Sequence, residues 1–167
     1  MHKVRPLTTS PDDLRLCRDV YLRSWPVTAG GVYTPEQMRR RFEQVDDLGF
    51  WHAIVDGSDR RFTGTTVIDG VVRHGFATAH HEDGAWEFGW LFVEPEAFGS
   101  GLADALYTAT VEDIEGPWFG FILDGNVMSP RFLASRGWRK VPGEQPDWAI
   151  ALGHRYRRYE TVRQHGT

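Results

Sequence analysis

The sequence predicts an α/β fold built on a mixed, mostly antiparallel sheet. Three observations carry this. A short strand, Lys3–Leu7, precedes two helical stretches. A set of apolar runs then follows, separated by Asp56-Gly57 and Asp69-Gly70, and Asp-Gly between strands is a strong hairpin signal. Finally, two strand-like runs, Trp86–Val93 and Trp118–Leu123, each lead through a turn into a helical pattern, as parallel strands with a crossover do.

Taken in order, Ser10-Pro11-Asp12-Asp13 reads as a helix start, with Ser10 as the cap and Pro11 at the first helical position. That helix is expected to reach Trp25 and stop before Pro26, with Val27–Tyr33 as a glycine-bearing loop. Thr34-Pro35-Glu36-Gln37 is a capping box opening a second helix through Val45. Arg39-Arg40-Arg41 on that helix is read as a solvated face, because acidic residues flank it. Strands follow at Phe50–Val55, Arg61–Ile68 and Val71–Thr78, then a turn at His80–Gly84 and the strand Trp86–Val93. Helices at Gly101–Ile114 and Ser129–Arg136 alternate with Trp118–Leu123. Arg139–Val141 and His154–Glu160 close the sheet around a Pro/Gly loop. Residues 1–160 are expected to form a single domain and 161–167 a disordered tail.

Composition narrows the function. The 167 residues are 41% hydrophobic and 25% charged, as in ordinary globular proteins. A net charge of −4 argues against general nucleic-acid binding. Neither a signal core nor a membrane-length apolar run is present, so no membrane partner is expected. Cys17 is the only cysteine; a cytoplasmic setting is expected, with Cys17 as a buried small apolar residue. All but two of the 19 basic residues are arginine, the bias of a GC-rich bacterial genome.

The most informative stretch is Gly99-Ser100-Gly101-Leu102-Ala103, between the strand ending at Val93 and a helix. A glycine turn at a helix start leaves backbone N–H groups unpaired at the positive end of the helix dipole, and so offers an anion site. By itself such a turn is more often plain turn chemistry. It matches neither a P-loop, since no Gly-Lys pair follows, nor the dinucleotide pattern, since position 104 is Asp104, nor a nucleophile elbow, since position 98 is Phe98.

Two longer motifs add to it. Leu91-Phe92-Val93-Glu94-Pro95-Glu96-Ala97-Phe98-Gly99-Ser100-Gly101-Leu102-Ala103 resembles the acetyl-CoA signature of the GNAT superfamily of N-acetyltransferases. Asn126 through Phe132 to Gly137-Trp138 resembles that superfamily's later motif at the same spacing, and Val4-Arg5-Pro6-Leu7 its opening strand. The resemblance spans nearly the whole chain. It implies a seven-stranded, mostly antiparallel mixed sheet, about four flanking helices, and a V-shaped splay between the two central strands. It also implies acetyl-CoA as cofactor, its pyrophosphate held by the turn Phe98–Ala103. The pantetheine arm would lie in the splay beside Phe92 and Val93 and pass Asn126. Phe98 stands where the signature has Arg or Gln, and Leu133 where many members carry a general-acid tyrosine.

Acyl transfer to an amine needs a base and a donor for the developing oxyanion. Glu87, six residues before Val93, occupies a position where relatives carry a glutamate base, and the backbone N–H near Val93 is the oxyanion donor. As a bare residue Glu87 reads equally as a solvated strand-edge carboxylate. His80 and His81 are the next catalytic candidates, although in a turn both read more readily as surface histidines. His52 reads as a core or cleft histidine. No cluster has metal-ligand spacing, so no metal is expected. Trp25, Tyr33, Trp86 and Trp90, with Trp51, are candidates for an aromatic cleft that takes a flat or cationic amine, although about half of such aromatics belong to a core. The expected function is acetyl-CoA-dependent acylation of a small-molecule amine, with a homodimer compatible. The alternatives are a non-acetylating CoA- or acyl-carrier-binding tailoring enzyme on the same fold, or a ligand- or partner-binding module.

Overall fold

A computed structural model describes residues 1–29 and 31–161. Its elements are β1 (Lys3–Pro6), α1 (Pro11–Ala29), α2 (Pro35–Asp46), α3 (Leu48–Asp56), β2 (Arg60–Ile68), β3 (Val71–Glu82), β4 (Ala85–Val93), α4 (Leu102–Val111), β5 (Trp118–Leu123), α5 (Met128–Ala134), β6 (Trp138–Lys140), α6 (Asp147–Leu152) and β7 (Tyr156–Thr161). The seven strands form one sheet in the order β1-β2-β3-β4-β5-β7-β6. Every pairing is antiparallel except β4 with β5.

Helices α1 and α3 cover one face. There Tyr21, Trp25, Trp51 and Val55 pack with Phe76 of β3. On the other face, Leu102 and Leu106 of α4 pack on Ala77 and Val93, and Leu133 of α5 joins Ala79, Trp118 and Trp138. Cys17 is buried in the first of these clusters. The start of α1 is tied to β1 by Asp13, which accepts both terminal nitrogens of Arg5 (2.6 and 3.0 Å) and the amide and hydroxyl of Thr8 (both 2.8 Å).

Several expectations change. Phe50–Val55 is not a strand but part of α3. An Asp47 carboxylate oxygen accepts from the Gly49 amide at 2.9 Å, and Leu48, Trp51 and Val55 recur at helical spacing. A short run that is apolar but for His52 suits a buried strand or a helix equally, and the cap decides. Asp56-Gly57 therefore ends a helix, with the Gly57 amide on the Ala53 carbonyl at 3.0 Å, rather than turning a hairpin. As a result His52 is exposed on α3, not in a cleft.

Helix α1 continues through Pro26 to Ala29, because Trp25 and Ala29 are both buried and hold that last turn to the core. The expected Val27–Tyr33 loop is thus helical over its first three residues, and Gly30 lies outside the described residues. Strand β3 runs on to Glu82, leaving a tight two-residue turn at Asp83 (φ 50°) and Gly84 (φ 78°) in place of the longer turn at His80–Gly84. With α3 and α6, the helices among the described residues number six rather than four. Thr161 belongs to β7 and pairs with Trp138; residues 162–167 of the expected tail lie outside the described residues.

Candidate functional site

Strands β4 and β5 pair only at Trp86–Trp118 and Glu87–Phe119, then diverge. The parting follows from a bulge. Across β3 and β4, Thr78 pairs with Trp90 but Ala79 with Phe88, so Gly89 is an extra residue and β4 bends there. Gly120 keeps the strands close at the fork, since a Cβ on it would lie 3.2 Å from the Phe88 carbonyl oxygen. Beyond the fork the facing edges are unpaired. Glu94 donates to the His74 carbonyl at 2.9 Å, and in an antiparallel ladder this alternation turns the N–H groups of Val93 and Leu91 away from β3 and into the gap.

A cavity of about 1010 Å³ passes through this gap, from one face of the sheet to the other. On the α4 face it is lined by Phe98, Gly99, Gly101, Ala103 and Asp104. Gly99 (φ 76°) and Gly101 (φ 89°) are both left-handed, which bends the chain so that α4 begins at the cavity. The amides of Gly99, Gly101, Ala103 and Asp104 have no partner among the described residues, whereas Ser100 Oγ accepts from Leu102 N at 3.2 Å. Asp104 would oppose an anion here, but it is paired with Arg136. The chain leading into the turn is tied to α1 by Arg23, which pairs with Glu94 and Glu96 just past the end of β4.

On the α1 face the cavity is lined by Tyr21, Trp25, Arg41, Phe50 and Trp90, with His80 and Glu87 where β4 leaves β5. Glu87 is largely buried, and this raises its carboxyl above the usual carboxylate range, against the opposing pull of His80; Glu82 adds to the rise. His80 Nε2 lies 3.3 Å from a Glu87 oxygen and 3.5 Å from a Glu82 oxygen. Sequence spacing gives no metal cluster, yet the donor atoms of His80, Glu82 and Glu87 lie within 4.8 Å of one another. The tight Asp83-Gly84 turn is what sets His80 opposite Glu87.

The candidate residues thus divide. Glu87, Trp25, Trp90, Phe92, Val93, Phe98, Gly99, Gly101, Ala103 and Asn126 all line the cavity. Leu102 does not; it is fully buried in the core beneath α4, and Ser100 serves as a local cap. His81 alternates to the opposite face, where its ring packs 5.2 Å from that of Trp86. Trp86 is on that same face, stacked near Trp118, and so cannot share a cleft with Trp90. Tyr33 lies behind Trp25, its hydroxyl 3.1 Å from that of Tyr156. Trp51 is core, its indole N–H donating to the Val45 carbonyl at 2.7 Å. The Asn126 carboxamide oxygen accepts from the amides of Met128 and Ser129 (3.0 and 3.2 Å), so its side chain caps α5.

Sequence reasoning places Arg41 on a solvated face and His80, a catalytic candidate, in a surface turn, yet both line the cavity. Both had a signal. Arg41 precedes buried Val45 by one helical turn, and a two-residue Asp-Gly turn requires His80 to face Glu87.

No family model matches the chain, and no curated protein does. Solved structures do. The N-acetyltransferase PaiA from Thermoplasma acidophilum, in complex with coenzyme A, superposes with a TM-score of 0.72 at 14% identity, over 96% of this chain and 98% of that one. The chain has the GNAT fold. An acetyltransferase from Thermus thermophilus gives a TM-score of 0.64 at 16% identity, over 96% of each chain. A GCN5-related N-acetyltransferase from Rhodopseudomonas palustris gives 0.65 at 20% identity, over 95% of this chain and 94% of that one. Identity this low establishes the GNAT fold and leaves chemistry to be argued from the cavity.

Proposed function

We propose that the chain is an acetyl-CoA-dependent N-acyltransferase that acylates the amine of a small molecule. The observation that carries this reading is the cavity itself. It joins an amide-lined helix start on one face to a largely buried carboxylate on the other, through a gap edged by unpaired backbone. The PaiA neighbour was solved with coenzyme A, and the residues here suit the same ligand. Glycines without side chains at positions 99 and 101 leave room for a pyrophosphate against free amides. The outward N–H of Leu91 and Val93 can pair with an extended amide-bearing arm, as an added strand would. Bound there, acetyl-CoA supplies an activated acyl thioester.

The protein's own contribution is then positioning, a base and an anion donor. Glu87, its pKa raised by burial, takes the proton of the attacking amine, and a carboxylate raised in this way is a stronger base than an exposed one. His80 stands beside Glu87 with Glu82 beyond it, a route by which that proton reaches solvent. The Val93 N–H faces the gap and can steady negative charge on the acyl oxygen. Leu133, where a tyrosine acid would stand, is buried among Trp118 and Trp138 and offers no proton. None is essential, because a thiolate with an unperturbed pKa of about 8.5 leaves without a strong acid.

The test is thiol release from acetyl-CoA by the purified protein across a panel of primary amines, alongside calorimetry with CoA. Binding with amine-dependent turnover supports the reading. Binding without turnover on any amine moves it to the non-acetylating tailoring or carrier-binding alternative, and absence of CoA binding rejects it.

A further inference from the structure

Three successive arginines on α2 behave differently. Arg39 pairs with Glu36 and Glu43, and Arg40 with Glu36, as a solvated face should. Arg41 turns inward. Its Nε donates to the Tyr21 hydroxyl at 2.9 Å and Nη1 to Gln44 Oε1 at 2.8 Å, both neutral partners. No carboxylate lies within ion-pair distance of it among the described residues. Its guanidinium sits 5.5, 5.4 and 5.9 Å from the ring centroids of Tyr21, Phe50 and Trp90. It is half-buried and is the only Lys or Arg lining the cavity among the described residues.

A half-buried guanidinium without a counter-ion is costly unless something supplies one. Two of its five N–H donors are committed, and the rest form the fork that suits a carboxylate. The helix start of α4 lies on the opposite face of the sheet, so Arg41 is not placed for a pyrophosphate bound there. Glu87 and Trp90 share a face of β4 on either side of the Gly89 bulge, and Arg41 stands over Trp90. Strand geometry therefore separates base and guanidinium by at least roughly 6 Å.

We propose that the acceptor carries an anionic group, a carboxylate, held by Arg41 across the Trp90 ring from the amine that meets Glu87. This deepens the acyltransferase reading and rests on it. The substrate class is an amino acid acylated on an amine several bonds from its carboxylate. The dipole of the site matches such a zwitterion, with a carboxylate for the ammonium end and a guanidinium for the anionic end.

The experiment uses the full chain with acetyl-CoA and matched acceptors, ε-aminocaproate against hexylamine and aminomethylbenzoate against benzylamine. The carboxylate member of each pair is expected to have a kcat/KM higher by about tenfold or more, mostly through KM. Arg41→Gln should erase that preference, Arg41→Lys should keep part of it, and neither should alter CoA affinity. Equal rates within the pairs, or Arg41→Gln lowering both members alike, overturns the proposal. Cavity tryptophan fluorescence, read with CoA bound, does not depend on turnover. Quenching by ε-aminocaproate but not hexylamine, lost in Arg41→Gln and kept in Arg41→Lys, sustains the anion site even if no amine is acylated, in which case only the acyltransferase reading falls. Indistinguishable quenching by both members sinks the anion site.

Discussion

The two ends of the cavity are built from different materials. At the α4 end the unpaired polar groups that face the cavity are backbone amides, exposed by two left-handed glycines. At the α1 end they are side chains, Trp25, Arg41, Trp90 and Glu87, drawn from α1, α2 and β4. A backbone site is encoded by a few consecutive residues and tolerates change around it. A side-chain site needs several elements packed in register and varies freely with its residues. The first kind suits a ligand shared by many proteins, the second a ligand particular to one.

The largest effect expected at the backbone end comes from Gly101→Glu. A non-glycine residue at φ 89° is strained, and the new carboxylate would sit among the amides meant for an anion. Its Cβ would lie 3.0 Å from His2 Nε2, a flexible side chain that can move aside, so the fold should survive. CoA affinity measured by calorimetry should drop at least ~100-fold, given strain and charge repulsion together. Unchanged affinity in a folded variant would show that this turn does not hold the cofactor.

At the side-chain end, Glu87→Gln should lower kcat by roughly 10²–10⁴, the usual loss on removing a general base, with CoA affinity intact. The native pH–rate profile should rise on its acid side at a pH above the ordinary Glu value of 4.5, because burial raises the carboxyl, and the variant should lack that limb. The stability sign runs the other way. A carboxyl whose folded pKa is raised costs stability once the pH exceeds its unfolded pKa, so near neutrality Glu87→Gln should melt no lower than the native chain. A variant that keeps near-native kcat at every pH removes Glu87 as base; one that melts much lower makes it structural.

A third substitution probes the helix that carries the side-chain end. Asp13, at the start of α1, has its pKa lowered from 3.8 to about 2, chiefly by the bidentate Arg5 pair, with the Thr8 bonds adding to it. That shift corresponds to about 2 kcal/mol of stability, present above the unfolded pKa and lost as pH falls through about 2. Asp13→Asn should therefore cost about 2 kcal/mol in urea unfolding at neutral pH, and the difference from the native chain should shrink on acidification. A pH-independent difference would mean that packing, not the ion pair, is what was lost.

The same contrast explains what the sequence could and could not reveal. The sheet and the glycine turn rest on local signals: Asp69-Gly70 as a hairpin, Gly99 and Gly101 before an amphipathic helix, apolar runs at Trp86 and Trp118; the splay came only with the resemblance of the longer motifs. Where local signals were degenerate the reading slipped. The run Phe50–Val55, apolar but for His52, is too short to show a period that separates helix from strand, and Pro26 is a stop that burial of Trp25 and Ala29 overrides. The α1 end was less legible still. Which of His80 and His81 faces Glu87 depends on the turn length, and a one-residue change exchanges them. Trp86 and Trp90 look equivalent along the chain, yet the strand's alternation and the extra residue Gly89 leave them on opposite faces. Arg41 was hidden inside a charge run whose other two members do face solvent.

The smallest effect expected is a gain. Phe98 lines the mouth of the α4 end and packs partly against the cluster of Val93, Ala97 and Leu102. If the backbone amides carry the anion, a side-chain cation there is an addition to a working site rather than a repair. Phe98→Arg should tighten CoA by at most roughly 1–2 kcal/mol, the range of a charge-assisted hydrogen bond in a half-exposed place. Loss of the ring's packing works against this gain, and Asp104, already paired with Arg136, is a competing partner for the new cation. Comparing CoA with pantetheine separates these terms. The ring's packing affects both ligands, whereas only CoA presents a pyrophosphate. A gain for CoA that is absent for pantetheine places the added charge at the phosphates. Weaker binding of both would instead make Phe98 an apolar wall of the cavity, and the α4 end would then depend on a side chain as the α1 end does.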